Sequence, residues 1–263
     1  MTRGRHFGML RVVSRALLVL VPGLLAALPL NACSSGTETG NPSFQAELSY
    51  AAYSSQPLAI GVREVASRAV VESAWLDLGA VRLFRAGTCA NVEPEAQSLP
   101  ALGVGDHASG DHNATRFELA ASQYCALDLP FARVAAGAIR DGEPASLEQH
   151  SLMIAGLLSD GTPFSILSSA VPTVHLIADA GSFEISPGRA NTLIAFDVAT
   201  WLADLDWQSA QRENGAVVLS ADQNPALLAA FESNLARGIA LYRDTDGDGR
   251  LDTNPERLAH SVE

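Results

Sequence analysis

Near its carboxyl end the chain carries alternating acidic residues whose spacing suits a metal ion. The run from Asp244 to Asp252 reads Asp-Thr-Asp-Gly-Asp-Gly-Arg-Leu-Asp. In calcium loops of the EF-hand type, carboxylates stand at positions 1, 3 and 5, a glycine at 6, a ligating backbone carbonyl at 7 and a further ligand at 9. The residues at these positions are Asp244, Asp246, Asp248, Gly249, Arg250 and Asp252. The pattern therefore predicts a calcium site.

The run departs from the EF-hand pattern at the twelfth position, where a bidentate glutamate is expected. Pro255 stands there, and Glu256 follows one residue later. We include Glu256 among the candidate ligands, although its offset leaves the usual ligand set incomplete. The sequence favours a weak structural calcium site, with a dissociation constant of roughly 10⁻⁴ to 10⁻³ M, over a regulatory switch. The alternative interpretation is an acidic, solvated turn.

Two Asp-His pairs could present carboxylate and imidazole ligands to a transition metal. They are Asp106-His107 and Asp111-His112, in a stretch rich in Asp, Gly and Ser. Such residues also gather in loops because their conformations and side chains suit turns, so we favour a solvated loop here. The alternative is a metal-dependent envelope hydrolase that uses these four residues.

No other pattern in the chain indicates catalysis. The sequence contains no Gly-x-Ser-x-Gly elbow, no glycine-rich phosphate loop and no His-Glu-x-x-His zinc motif. Trp75, Trp201 and Trp207 fit a hydrophobic core as well as a carbohydrate-binding platform. We therefore predict a protein that is not an enzyme, has no catalytic residues and serves as a binding or structural module.

The amino terminus has the layout of a bacterial lipoprotein signal. Four arginines precede an apolar run, which ends in Leu30-Asn31-Ala32-Cys33. A basic segment, an apolar segment and a small residue before a cysteine are the marks of a signal peptide with an acylated cysteine. The sequence predicts a signal peptide over 1–32 and lipidation at Cys33, with a cleaved secretory signal or an uncleaved anchor as alternatives.

The two remaining cysteines agree with export. Cys89 and Cys125 form an even set, and disulfides persist in oxidising compartments. We predict a disulfide between them, with two buried free thiols as the alternative. Alternation along the strand that contains Cys125 predicts that its side chain faces inward, together with Leu127 and Leu129.

The elements that must position these residues are mostly strands. Polar and apolar residues alternate from Phe44 to Tyr50, which is typical of a half-buried strand. Asp160-Gly161 separates two apolar runs and predicts a β-hairpin. Further short strands follow at close spacing, whereas 91–113 lacks periodicity and predicts a long loop. The fold class is mainly β, an antiparallel β-sandwich with one or two C-terminal helices.

Two helices are expected near the C-terminus. The segment 197–204 changes period and predicts a short helix. Asn224 is a suitable N-cap with Pro225 in the first helical position, and apolar residues then recur at helical spacing. This second helix is predicted to run to about Tyr242 and to lead directly into the acidic loop.

The predicted organisation has four parts. They are the signal peptide (1–32), a flexible tether (33–43), a β-rich sandwich domain (44–223) and a helix with an EF-hand-like calcium loop (224–263). The signal carries four of the 17 basic and none of the 29 acidic residues, which leaves 13 basic against 29 acidic residues and a net charge of −16. Such acidity argues against a nucleic acid partner.

Three features together resemble a group of uncharacterised surface lipoproteins common in myxobacterial genomes. They are the lipidation signal, the Gly36–Pro42 tether, and the Asn224-Pro225 helix followed by the acidic loop. The resemblance implies a β-rich module tethered to the cell envelope. Ser34 after Cys33 favours the outer membrane by analogy with enteric sorting. The expected partners are the membrane, through the N-terminal lipid, and an envelope protein or glycan.

Overall fold

The computed structural model describes residues 43–54, 69–91, 94–109 and 113–262. The predicted signal peptide, Cys33 and the tether as far as residue 42 lie outside the described residues, as do Asp111 and His112. The described residues all belong to one compact unit, Asn41–Glu263.

Within these ranges the chain forms sixteen β-strands, two α-helices and one 3-10 helix. The strands are β1 (Ser43–Tyr53), β2 (Val70–Leu78), β3 (Arg82–Arg85), β4 (Ala96–Ser98), β5 (Gly103–Asp106), β6 (Asn113–Ala120), β7 (Ser122–Pro130), β8 (Leu152–Leu157), β9 (Pro163–Ser168), β10 (Thr173–Ala178), β11 (Phe183–Ile185), β12 (Asn191–Asp197), β13 (Arg212–Glu213), β14 (Ala216–Leu219), β15 (Ile239–Arg243) and β16 (Arg257–Ser261). The helices are α1 (Val198–Leu202), α2 (Pro225–Asn234) and the 3-10 helix Ala145–Leu147.

The described strands form two sheets arranged as a sandwich. The larger sheet has ten strands in the order β4-β3-β7-β10-β16-β15-β12-β1-β6, with β11 also paired to β7. The smaller has six, in the order β13-β14-β9-β8-β2-β5. Among the described pairs, only β1–β12 and β9–β14 are parallel. The predicted mainly β sandwich with helices near the C-terminus is confirmed.

The core lies between the two sheets. Leu76, Ile154 and Ile166 of the smaller sheet are completely buried, as are Leu127 and Leu176 of the larger one. Burial of such side chains stabilises the fold by about 1.5 to 3 kcal/mol each. Among the tryptophans, Trp201 and Trp207 are also part of this core, and the indole Nε1 of Trp201 donates to the Arg237 carbonyl at 2.9 Å.

Backbone hydrogen bonds at His107 join the sheets at one edge. The His107 amide donates to the Ala74 carbonyl of β2, and the Ala52 amide of β1 donates to the His107 carbonyl, both at 2.9 Å. A second bridge joins Leu78 of β2 to Phe131, just after β7. The segment after β5 is therefore held between both layers and is not a solvated loop at this point.

The β8–β9 hairpin and the short helix α1 confirm the sequence predictions. Leu152 to Leu157 pair antiparallel with Ser168 to Pro163. Only Gly161 of the Asp-Gly pair has a positive φ, of 77°. The Leu158 amide donates to the Thr162 carbonyl at 2.8 Å, so the turn is a three-residue loop with a left-handed last residue.

The prediction that α2 runs to about Tyr242 is wrong. The helix ends at Asn234, and Ile239–Arg243 form strand β15. Gly238 separates them with a φ of 72°, and a Cβ at this position would stand 2.8 Å from the Thr200 Cβ. Pro225 does stand at the start of α2, but Asn224 is left-handed and its side chain makes no cap.

No described helix has both the length and the apolar character needed to cross a membrane.

The stretch 91–113 holds more regular structure than its composition predicts. β4 pairs with β3, and β5 pairs with β2. Both strands are short and made largely of small residues, so neither shows an apolar alternation that the sequence could reveal. Conversely, the predicted tether ends one residue inside β1, which begins at Ser43.

Candidate metal site

The acidic loop connects two neighbouring strands of the larger sheet. Asp244 follows β15 directly, and the chain enters β16 at Arg257. Leu241 pairs with Ala259 and Tyr242 with Arg257, so the loop closes an antiparallel hairpin. The expected entry from a helix is thus replaced by entry from a strand, because α2 ends at Asn234 and β15 begins at Ile239, before the motif.

The loop brings three of the predicted ligands together. One carboxylate oxygen from each of Asp244, Asp246 and Asp248 lies within 4.8 Å of the other two. Asp244 is buried, whereas Asp246 and Asp248 are exposed. A buried carboxylate at the base and two solvent-facing carboxylates above it form a small, open group of hard oxygen ligands.

Hydrogen bonds within the loop hold Asp244 in place. Its Oδ1 accepts from the Gly247 amide at 2.8 Å, and its Oδ2 accepts from the Gly249 amide at 3.0 Å. Both glycines are left-handed, with φ of 72° and 71°. A Cβ on Gly247 would also stand 2.8 Å from the Asn191 side-chain nitrogen. Any other residue at position 247 would therefore be strained and crowded.

The electrostatics of the group favour a cation. Burial raises the pKa of Asp244, and the nearby Asp246 side chain raises it further. The amides of Gly249 and Gly247 lower the same pKa, because they donate to the charged form. Oxygen ligands of this kind suit hard cations such as calcium.

Two other predicted ligands are engaged elsewhere. The Asp252 Oδ2 accepts from the Thr245 hydroxyl at 2.8 Å, across the loop. Both carboxylate oxygens of Glu256 lie 3.1 Å from the Arg189 Nη2, and Oε2 lies 3.6 Å from the Arg243 Nε. Glu256 thus faces two guanidinium groups rather than the three carboxylates.

The two described members of the Asp-His constellation have separate surroundings. The Asp106 Oδ1 accepts from the amides of Ala74 at 2.9 Å and Ala108 at 3.0 Å. The His107 ring is buried beside Tyr50 and Phe196, with ring centroids 6.1 and 5.5 Å apart. Asp111 and His112 lie outside the described residues, so the four-residue metal site stays a prediction.

His107 is held in its neutral form. Its Nδ1 lies 3.4 Å from the Tyr50 carbonyl, which can only accept, so this nitrogen carries the proton. The buried Nε2 has no hydrogen-bond partner among the residues that the structure describes. Burial lowers the pKa of His107 to about 4, although the Tyr50 carbonyl and the nearby Asp106 carboxylate act in the opposite direction.

The predicted disulfide joins Cys89 to Cys125, with Cα atoms 6.5 Å apart. The expectation that Cys125 faces inward with Leu127 and Leu129 is wrong. Phe84 pairs with Ala126 and Arg85 with Tyr124, so Cys125 is the extra residue of a β-bulge. The bulge shifts the alternation by one residue, and Tyr124 is buried instead.

No protein-family model matches the chain, and no curated protein sequence matches it. Among solved structures, the chain is similar to MbnP from Methylosinus trichosporium, at 12% sequence identity and a TM-score of 0.44. The match covers 84% of this chain and 100% of that one.

Sequence reasoning missed the residues that fix the loop to the sheet. The buried Arg243 donates to the carbonyls of Arg189 at 2.7 Å and Glu184 at 2.8 Å. The Asp244 amide donates to the Asn191 carbonyl at 3.3 Å. These contacts join segments about fifty residues apart in sequence, and no local pattern could have indicated them.

Proposed function

We propose that this chain is a lipid-anchored protein of the bacterial cell envelope that acts without catalysis, as a binding or structural module stabilised by calcium. The observation that carries the calcium part is the convergence of Asp244, Asp246 and Asp248 within 4.8 Å. Their oxygens are the hard ligands that calcium prefers, and the Arg250 carbonyl, two residues after Asp248, is a further candidate. Asp252 would join them only by giving up its contact with the Thr245 hydroxyl.

A structural role suits this loop better than a switching role. The loop is already closed by the hydrogen bonds of Asp244, and strands on both sides fix its ends. A cation bound to such a loop stabilises a geometry that exists without it. A switch needs a second conformation to which the cation binds differently.

We expect calcium to raise the stability of the full chain in detergent. With a dissociation constant of roughly 10⁻⁴ to 10⁻³ M, calcium at about 10 mM raises the free energy of unfolding by about 1 to 3 kcal/mol. Thermal unfolding with calcium and with chelator measures this difference. The Asp246→Asn/Asp248→Asn double variant should abolish it, because both charges are lost while each side chain keeps the one acceptor oxygen that its loop contact uses.

The matched control for this experiment is Asp222→Asn, an exposed carboxylate outside the loop. It should retain the full calcium-dependent rise. If the unaltered chain shows no calcium-dependent shift, the loop is an acidic hairpin turn and the calcium proposal fails.

Glu256→Gln separates the carboxylate cluster from the arginine contacts. We expect this variant to keep the calcium-dependent increment, since Glu256 faces Arg189 and Arg243. Its baseline stability should fall by roughly 1 to 3 kcal/mol, because the pair with Arg189 is half exposed whereas the Arg243 guanidinium that loses its charged partner is buried. A calcium increment that disappears in Glu256→Gln would contradict the proposed ligand set.

Support for the lipid anchor comes from the arginines, the apolar run and the Leu30-Asn31-Ala32-Cys33 sequence. Cells supplied with a labelled fatty acid should transfer the label to the full chain and not to Cys33→Ala, which lacks the thiol that is acylated. A full chain without label would argue against lipidation. The proposed location is the outer membrane, and the proposed partner class is an envelope protein or glycan.

The competing proposal of a metal-dependent hydrolase gains nothing from the described residues, because Asp106 binds backbone amides and the His107 ring is buried. Metal analysis of the purified chain would revive it, if a transition metal were present and His107→Ala removed it.

A further inference from the structure

A second site candidate lies on the smaller sheet, away from the acidic loop. A cleft of about 310 Å³ opens between the end of β9, helix α2 and the segment that precedes β8. Its walls include Arg133, His150 and Glu232, together with the apolar side chains of Leu167 and Leu228. Clefts of this size are at the lower end of the range that accommodates small ligands, roughly 300 to 1,000 Å³.

The two charged side chains of the cleft are anchored on consecutive residues. The Arg133 Nε donates to the Ser169 carbonyl at 2.6 Å, and the Ser168 hydroxyl donates to the Glu232 Oε1 at 2.6 Å. Ser168 is itself completely buried. A cation and an anion are thus set side by side at the end of β9, each through a short hydrogen bond.

Arg133 and Glu232 do not neutralise each other. They line the same cleft, but no ion pair within 4.0 Å joins them, and neither has an ion pair with another described residue. Arg133 keeps its two terminal guanidinium nitrogens for a carboxylate. Glu232 keeps its second carboxylate oxygen for an ammonium group. A cleft whose two opposite charges are not paired with each other suits a molecule that carries both charges.

His150 adds a second ring nitrogen to the same wall. Its Nδ1 donates to the Glu148 carbonyl at 2.9 Å, so Nε2 is the nitrogen that an ammonium group can meet when the ring is neutral. The preceding Gln149 is left-handed, with a φ of 64°, which is uncommon outside glycine. Its amide donates to the Val134 carbonyl at 2.9 Å, and its carbonyl accepts from the Ser169 hydroxyl at 3.3 Å. The strained residue thereby fixes His150 relative to Ser169.

We propose that this cleft binds a small zwitterion, an α-amino acid with an aliphatic side chain. Its carboxylate binds Arg133, its ammonium group binds Glu232 and the His150 Nε2, and its side chain lies against Leu167 and Leu228. This site is independent of the proposed calcium loop, because the two share no residue.

Calorimetric titration of the full chain in detergent with L-leucine tests the proposal. We expect saturable binding, with a dissociation constant at or below about 1 mM. Leucinamide lacks the carboxylate, and 4-methylpentanoate lacks the ammonium group. Each should bind about tenfold or more weakly than leucine, since each leaves one charged group of the cleft unpaired. Chelator should leave leucine binding unchanged, whatever its effect on the acidic loop.

Two variants assign the contacts. Arg133→Gln should weaken leucine binding about tenfold or more and leave leucinamide binding unchanged, because leucinamide has no carboxylate to lose its partner. Glu232→Gln should also weaken leucine binding about tenfold or more, and it should leave the binding of 4-methylpentanoate unchanged, because that ligand has no ammonium group. The matched control is Arg140→Gln, an exposed arginine of the same connecting segment. If leucine does not bind at about 10 mM, or if the three ligands bind equally to the unaltered chain, the proposal is overturned. The ligand series requires no variant, so it decides the matter even if Arg133→Gln fails to fold.

Discussion

Replacing Cys89 and Cys125 together by alanine should lower the free energy of unfolding by about 3 to 4 kcal/mol, on the chain-entropy estimate for a sequence separation of 36 residues. The bond restricts the conformations of the unfolded chain and so lowers its entropy. The folded chain is already restricted, so its entropy changes little. Urea unfolding of the oxidised chain and of the double variant measures the difference. A loss of this size is a large fraction of the stability of a typical domain.

The location of the disulfide in the fold supports a large effect. Cys89 stands in the turn that follows β3, and Cys125 is the extra residue at the bulge of β7. The register between β3 and β7 shifts at that point, so the covalent bond joins the two strands where their regular pairing is interrupted. Reductant added to the unaltered chain should reproduce the loss and should have no effect on the double variant. A loss below about 1 kcal/mol would contradict the chain-entropy account.

Lowering the pH should destabilise the fold through His107 by up to about 3 kcal/mol, because its pKa falls from 6.5 to about 4 on folding. Above pH 6.5 the ring is neutral in both states, so it contributes no pH dependence. Between 6.5 and about 4 the unfolded chain takes up a proton that the buried ring cannot accept, and stability falls. Below about 4 both states bind the proton and the loss is complete.

The comparison with His107→Asn isolates this effect from that of other titrating groups. Asparagine does not titrate, and its amide can still donate to the Tyr50 carbonyl. Urea unfolding of both proteins between about pH 7.5 and about pH 4.5 should show that the unaltered chain loses more stability than His107→Asn as the pH falls. Gln123→Ala, at an exposed residue that does not titrate, is the control, and its stability should run parallel to that of the unaltered chain. Parallel curves for the unaltered chain and His107→Asn would refute the assignment.

The sequence predicts the elements whose evidence is local. The apolar runs around Asp160-Gly161 specify a hairpin, and the spacing of Asp244, Asp246 and Asp248 specifies a loop that gathers their carboxylates. The end of α2 was not predictable from periodicity, because Leu235 and Ile239 fit a helical repeat while Ile239 and Leu241 fit a strand. The positive φ of Gly238 separates the helix from the strand, and the spacing of apolar residues carries no information about this backbone angle.

The remaining errors concern long-range contacts. The bulge at Cys125 depends on its partner strand β3, and it reverses the face that simple alternation assigns to the cysteine. Glu256 looks like a displaced calcium ligand in sequence, but it contacts Arg189, 67 residues away. His107 lies in a polar stretch, and only the assembled sheets reveal that its ring is buried among aromatic side chains. Each case depends on tertiary structure that a local pattern cannot encode.

The β15–β16 hairpin has a consequence for how the protein is made. The order of the larger sheet places this hairpin between the group β4-β3-β7-β10 and the group β12-β1-β6. Every strand of those two groups precedes the hairpin in the chain, so synthesis delivers two half-sheets before the piece that joins them. Until then β10 and β12 have unpaired edges, which are sites for aggregation. A nascent chain awaiting this hairpin would therefore be the form most in need of a chaperone.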